Sequence, residues 1–296
     1  MTMRTTDERY LRGALLLITA FLVAETAAGF VAHSMALLAD AGHMLADVAA
    51  LVGSIWAARL AARPPAGLWT YGWRRAEILS AAANGVTLVA VALLITVEAI
   101  RRLVSPPPVT GSIVVVTAVV GLCVNVAATV ILGRAERRNL NVRGAFAHIL
   151  TDAYAFAGTA VAGAIVMLTG WRRADALASL FVVALIVRAA WQLLRDSGRI
   201  LLQAAPEALD LAEIRAHLTD VPHVVDVHDL HIWTVTSGLP TLSAHVVVED
   251  HCFDTGHAPQ LLDALQRCLA GHFDVTHATF QLEPRTHLAH EPDAHV

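Results

Sequence analysis

The stretch Ala36-Leu37-Leu38-Ala39-Asp40-Ala41-Gly42-His43-Met44-Leu45-Ala46-Asp47 opens an apolar run that continues to residue 60. Within it His43 and Asp47 stand four residues apart. A second apolar run repeats the spacing in His148-Ile149-Leu150-Thr151-Asp152. Residues i and i+4 share one face of a helix, about 5–6 Å apart at Cβ. Each string therefore presents an imidazole beside a carboxylate. Two such faces turned toward each other offer two nitrogens and two carboxylate oxygens, a tetrahedral set suited to Zn²⁺. Ionisable side chains at that depth in hydrocarbon are expensive, and by default they are functional.

The composition supports a membrane setting. Mean hydropathy is +0.58, with 56% hydrophobic and 16% charged residues, against about 25% charged in soluble chains. Apolar runs near the ~20 residues that a bilayer core requires fall at 11–31, 36–60, 76–100, 111–132, 145–168 and 174–194. No cleavable signal is expected, because the first run is long and no small-residue cleavage site follows it. Six transmembrane helices over residues 1–203 are predicted.

The chain has no lysine, so arginine alone sets orientation. A cytoplasmic N-terminus leaves only Arg101, Arg102, Arg172 and Arg173 in the outer loops, as the positive-inside rule expects. Both termini are then cytoplasmic and the protein lies in the cell membrane. In that orientation the second helix runs inward and the fifth outward. His43 and Asp47 sit roughly 10–17 Å from the outer end of one, and His148 and Asp152 roughly 5–11 Å from the inner end of the other. Both pairs approach the bilayer midplane, where secondary transporters bind substrate. Ala41, Gly42, Ala46, Gly144, Ala145 and Ala147 are small enough to permit close helix contact. Asp40, one turn before His43, can accept an imidazole N–H as metal-bound histidines usually require, or cap the outer half of the helix. Glu25, Glu98 and Asn125 are further buried polar candidates, read as mainly structural. Cys123, Cys252 and Cys268 form no C-x-x-C pair and read as packing residues, with metal contact at Cys252 or Cys268 as the lesser alternative. The net charge of −4 argues against a nucleic-acid partner, which needs a basic stripe.

The periodicity changes after a short linker at 201–206. Residues 204–285 are predicted as a small α+β domain, ferredoxin-like with the order αββαβ. A helix spans 207–218, strands span 224–235 and 239–248 around a Thr236-Ser237-Gly238 turn, a helix spans 259–269, and a last strand spans 278–282. Alternation puts His277, Thr279, Gln281 and Glu283 on one face of the last strand, and Ser243 with His245 on the outer face of the second. The strand of His228 is apolar on both sides, so its face stays open. His231, His251, His257 and His272 read as solvated or hydrogen-bonded, with His257 able to extend a site. The tail 286–296 is predicted to be disordered.

Several of these strings, in order, resemble the cation diffusion facilitators. They are residues 36–47, Thr70-Tyr71-Gly72-Trp73-Arg74-Arg75-Ala76-Glu77, Asn84-Gly85, residues 148–152 and His228-Asp229-Leu230-His231-Ile232-Trp233. The resemblance spans about Leu11 to Pro284 and is to the zinc-transporting branch related to bacterial cobalt–zinc–cadmium resistance proteins. It implies a transport site of His43, Asp47, His148 and Asp152, and a cytoplasmic metal site of His228, His245, His277 and Glu283. It also implies a homodimer. A histidine at position 43 is similar to zinc-preferring members, since all-oxygen sites suit harder ions. Two departures stand out. The loop at 133–144 has no histidine run, and Arg74 occupies a position where relatives often carry histidine, so no loop site is predicted.

The implied function is a secondary antiporter that exports Zn²⁺, with Cd²⁺ and Co²⁺ also admitted, in exchange for protons. No G-x-x-x-x-G-K-[ST] loop provides for ATP. A zinc hydrolase needs an open ligand position and a general base. Four candidate ligands close the sphere and no H-E-x-x-H string occurs. A metal sensor would need a signalling or DNA-binding module, and none is recognisable.

Overall fold

The computed structural model describes residues 5–132, 140–236, 238–275 and 277–287. Among these residues six long helices come first: α1 (Thr5–Ala32), α2 (Met35–Ala61), α3 (Ala76–Val104), α4 (Gly111–Leu132), α5 (Leu140–Thr169) and α6 (Arg173–Leu201). Then follow α7 (Leu211–Thr219), β1 (Val224–Thr234), β2 (Pro240–Val248), the single turn α8 (His251–Asp254), α9 (Ala258–His272) and β3 (His277–Pro284). The predicted tail lies almost wholly outside the described residues, as does most of the 133–144 loop.

The long helices overrun the predicted spans. Helix α5 starts at Leu140 rather than 145, α3 continues past 100 to Val104, and α6 continues past 194 to Leu201. The bilayer limits the apolar stretch and not the helix. Arginine is a good helix former, so Arg101 and Arg195 do not stop the chain. Stops come from backbone chemistry. Pro106-Pro107-Pro108 follows α3, and left-handed His33 and Gly170 follow α1 and α5 with φ of 53° and 70°. At 29 residues, α3 is about 44 Å long, against a hydrocarbon core of about 30 Å. Among the described residues α3, residues 152–169 of α5, and α6 are long and apolar enough to cross a membrane. Shorter apolar stretches lie at Thr19–Ala32, Met35–Ala46 and Gly111–Ala127.

The chain divides into two compact units. The first, residues 1–55 and 81–194, holds the bundle. Its core is built largely of small and branched residues. Met35, Ala39 and Ala46 of α2 meet Leu88, Ala92 and Ile95 of α3, Ala155 of α5, and Val182, Val183 and Ile186 of α6. Ala36 packs against Ala162 and Val166 of α5 and Ala174 and Ala178 of α6. Helix α4 packs against both α1 and α5. There Gly121 lies under the edge-to-face pair Phe21–Phe156, whose ring centroids are 5.6 Å apart. A Cβ at Gly121 would sit 2.7 Å from Phe21 Cζ, so glycine is required by space rather than by torsion.

The second unit, residues 56–80 and 195–296, contains the α+β domain and the segment joining α2 to α3. Its sheet has the order β1-β2-β3. The β1–β2 hairpin is antiparallel, while β2 and β3 are parallel, which obliges a crossover through α9. Ile214 and Leu218 of α7, Val227 and Ile232 of β1, Leu242, Ala244, Val246 and Val248 of β2, and Leu261, Leu265 and Leu269 of α9 form the core. Asp210 caps α7 by accepting from the Ala212 N–H at 2.8 Å. The predicted order is thus present, with α8 as an added turn between β2 and α9.

Candidate metal centres

Helix α2 carries the first H-x-x-x-D string, and its N-terminus is pinned by a buried acid from another helix. Asp175 of α6, 2% exposed, accepts from Ser34 Oγ and from the Met35 N–H at 2.7 Å. Ser34 Oγ in turn accepts from the Leu37 N–H at 3.3 Å. The first N–H groups of a helix have no partner within it, and a carboxylate there also opposes the positive end of the helix dipole. The pinned end fixes the axial position of α2, and with it the height of His43.

One candidate ligand from each string is thereby brought together. His43 is 5% exposed, and its Nε2 lies 3.7 Å from Asp152 Oδ1 of α5. Helix α2 continues through Asp47, and α5 through His148. The side chains of these two residues fall outside the described part. Asp40 is 1% exposed, and the buried Glu25 of α1 lies near both Asp40 and Asp152. Glu25 and Asn125 are buried as read from the sequence. Glu98 is not: its side chain is 39% exposed and pairs with Arg102 one turn on, at 3.0 Å.

The α+β domain gathers a second group on the sheet face opposite its helices. His228 of β1 pairs in register with His245 of β2, and their rings lie 5.2 Å apart, edge to face. Glu283 of β3, 1% exposed, reaches both. Its Oε2 is 3.3 Å from His228 Nε2, and its Oε1 is 2.8 Å from His245 Nδ1. One ligand atom from each of the three lies within 4.8 Å of the others. Two imidazoles and a carboxylate are a borderline-soft donor set that fits Zn²⁺ with a fourth position open. Gln281 Nε2 donates to Glu283 Oε1 at 2.8 Å, and Asp229 Oδ2 lies 3.8 Å from His245 Nε2. Such outer partners orient metal-binding imidazoles.

The open face of His228 is decided by a bulge. The β1–β2 register shifts between His228 and His231, and Asp229 takes a left-handed φ of 48°. Val227 thus faces the core while His228 is buried on the other side, against Glu283. His277 does not join this group within the chain. Parallel pairing puts Gln281 beside His245 and His277 beside Thr241, four residues away, and the His277 ring meets Tyr71 at 6.2 Å. The sequence places Gln281 on the face of Glu283 and Asp229 beside His228, but gives neither a role in the site. The bulge that turns Asp229 inward leaves no composition signal.

Comparison with known proteins agrees with these features. Residues 11–202 match the cation efflux transmembrane domain, and residues 206–285 match the cation efflux protein cytoplasmic domain. The chain is 40% identical over 279 residues to the zinc transporter ZitB of Escherichia coli K12, covering 93% of this chain and 87% of that protein. It is 35% identical over 283 residues to the cadmium, cobalt and zinc/H⁺–K⁺ antiporter of Bacillus subtilis 168, covering 95% and 90%. It is 38% identical over 279 residues to the metal cation efflux system protein CzcD of Cupriavidus metallidurans, covering 94% and 87%. All three are transporters by name, and none is an enzyme. A multi-pass bundle with buried acid and imidazole groups, joined to a matching soluble domain, therefore belongs to the cation diffusion facilitator, or cation efflux, family of zinc, cadmium and cobalt transporters.

Proposed function

We propose that this protein exports Zn²⁺ from the cytoplasm in exchange for protons, binding the ion at His43, Asp47, His148 and Asp152 in the middle of the bundle. The observation that carries the reading is the 3.7 Å approach of His43 Nε2 to Asp152 Oδ1 across α2 and α5. It joins one candidate ligand from each H-x-x-x-D string, and each helix carries its other candidate one turn away. Cd²⁺ and Co²⁺ suit the same nitrogen and oxygen donors. Asp40 is proposed to orient the site from the next turn of α2.

The exchange follows from ligand chemistry. Metal binding needs ionised aspartates and neutral imidazoles, so the ion and protons compete for the same atoms. Histidine titrates near neutral pH when unperturbed, which makes that competition effective in a cell. A site opened alternately to the two sides then moves metal one way and protons the other. Arginine placement supports cytoplasmic N- and C-termini, and the cytoplasmic-domain match supports a homodimer joined through that domain. The group of His228, His245 and Glu283 is proposed to bind a regulatory or stabilising Zn²⁺.

Everted membrane vesicles test the proposal directly. Native protein should take up Zn²⁺ under an imposed pH gradient, lose uptake when the gradient is collapsed, and lose it on Asp47→Ala or Asp152→Ala. Uptake indifferent to the gradient refutes the coupling. Equal uptake by native and variant proteins refutes the site.

A further inference from the structure

A second cluster of nitrogen and sulfur donors lies at the end of the β1–β2 hairpin, and neither the transport reading nor the His228 group uses it. His223 directly precedes β1 and takes a left-handed φ of 72°, a conformation that costs energy for a residue with a Cβ. The Glu249 N–H donates to the His223 carbonyl at 3.1 Å, and the Cys252 N–H to the Glu249 carbonyl at 2.9 Å. These bonds fold the chain after β2 back over the start of β1. Glu249, His251, Cys252 and His223 converge there.

The geometry around Glu249 is specific. Its Oε2 lies 2.9 Å from His223 Nδ1 and 3.4 Å from His251 Nδ1. One carboxylate oxygen thus faces the same nitrogen of two imidazoles, which leaves both Nε2 atoms for another partner. His251 Nε2 faces the sulfur of Cys252 at 4.0 Å. The arrangement in which a carboxylate holds Nδ1–H while Nε2 meets the metal is the usual way proteins orient zinc-bound histidine. One ligand atom from each of His223, His251 and Cys252 lies within 4.8 Å of the others. Metal–ligand bonds of roughly 2.0–2.3 Å require these atoms to close by about 1 Å. His223 and His251 are 37% and 53% exposed in their side chains, so their rings can turn. Cys252 is buried at the edge of the core and supplies the fixed point. The His257 ring lies 5.0 Å from that of His223, near enough to take the remaining position.

We propose that His223, His251 and Cys252, oriented by Glu249, form a separate thiolate-containing site for a borderline-soft divalent cation such as Zn²⁺, Cd²⁺ or Co²⁺. It stands five residues from His228 along β1, about 16 Å in an extended strand, so the two groups bind different ions. A thiolate raises preference for softer cations, which distinguishes this site from the nitrogen and oxygen donors of the His228 group.

Cobalt titration of the full-length, metal-stripped protein in detergent tests this, with Co²⁺ alone as probe. Native protein should develop a thiolate-to-cobalt charge-transfer band in the near ultraviolet. Cys252→Ser should abolish the band and lower bound Co²⁺ by one per protomer. The double variant His223→Ala/His251→Ala leaves the core sulfur in place and guards against a folding defect in Cys252→Ser. It should weaken the band's cobalt affinity at least about tenfold. His228→Ala/His245→Ala should retain the band. A native protein without the band, a band that survives Cys252→Ser, or one lost with His228→Ala/His245→Ala overturns the proposal.

Discussion

The bundle and the α+β domain present metal-binding residue types in opposite settings. In the bundle His43 is an imidazole in an apolar run, held at 5% exposure beside Asp152. In the α+β domain histidine is plentiful, and His231 and His251 stand about half exposed in their side chains. Hydrocarbon penalises an ionisable group severely, so its presence there is itself a signal. Water does not, and a surface histidine costs almost nothing. A site in the second setting is recognised only by which side chains meet.

The strongest way to break this contrast is Asp152→Ala. It should lower Zn²⁺ flux in everted vesicles by at least about 100-fold, since one of the four proposed ligands is lost and even outer-partner changes cost 10–100-fold. Unchanged flux would mean that a buried acid in this bundle is only structural. Next comes Leu265→Ala in the core of the α+β domain, where Leu265 is fully buried. A cost of about 2–5 kcal/mol is expected, read as lost hydrogen-exchange protection in β2. Retained protection would show that the core collapses around the void.

Asp175→Ala removes the buried acceptor that pins α2. Hydrogen bonds to charged groups contribute about 1.5–3 kcal/mol, so a lower melting temperature in detergent is expected, with weakened metal binding in the bundle. Glu283→Gln sharpens the contrast from the other side. It should weaken Zn²⁺ binding at His228 and His245 by at least about tenfold, measured by calorimetry, while flux persists. Flux lost together with binding would show that the soluble group is required for transport. The smallest effect concerns Cys268. Burial, reinforced by the Asp220 charge, pushes its thiol above the ordinary range. A raised value lowers the thiolate fraction at neutral pH, so maleimide should label Cys268 more slowly than a free thiol, with the rate still rising above pH 9.

Legibility followed the same divide. Length and hydropathy sufficed for the long helices, but Glu98 read as buried because a span is a one-dimensional average. On the rotated helix its side chain reaches Arg102. Alternation correctly separated the faces of β2 and β3. It could not place His228, because the bulge at Asp229 breaks the two-residue period. The family resemblance groups His277 with Glu283, and alternation sets both on one face of β3. Parallel register then set Gln281, not His277, opposite His245.

By itself the sequence determined the two-part architecture, the helical spacing of His43 with Asp47 and of His148 with Asp152, and the outward faces of His245 and Glu283. These depend on local periodicity and on the cost of charge in lipid. Tertiary structure alone decided that α2 is capped by Asp175 from α6, that His228 turns toward Glu283, and that His223 meets His251 and Cys252. Those contacts join residues 28 to 141 positions apart, and no local pattern encodes a distance that only the folded backbone closes.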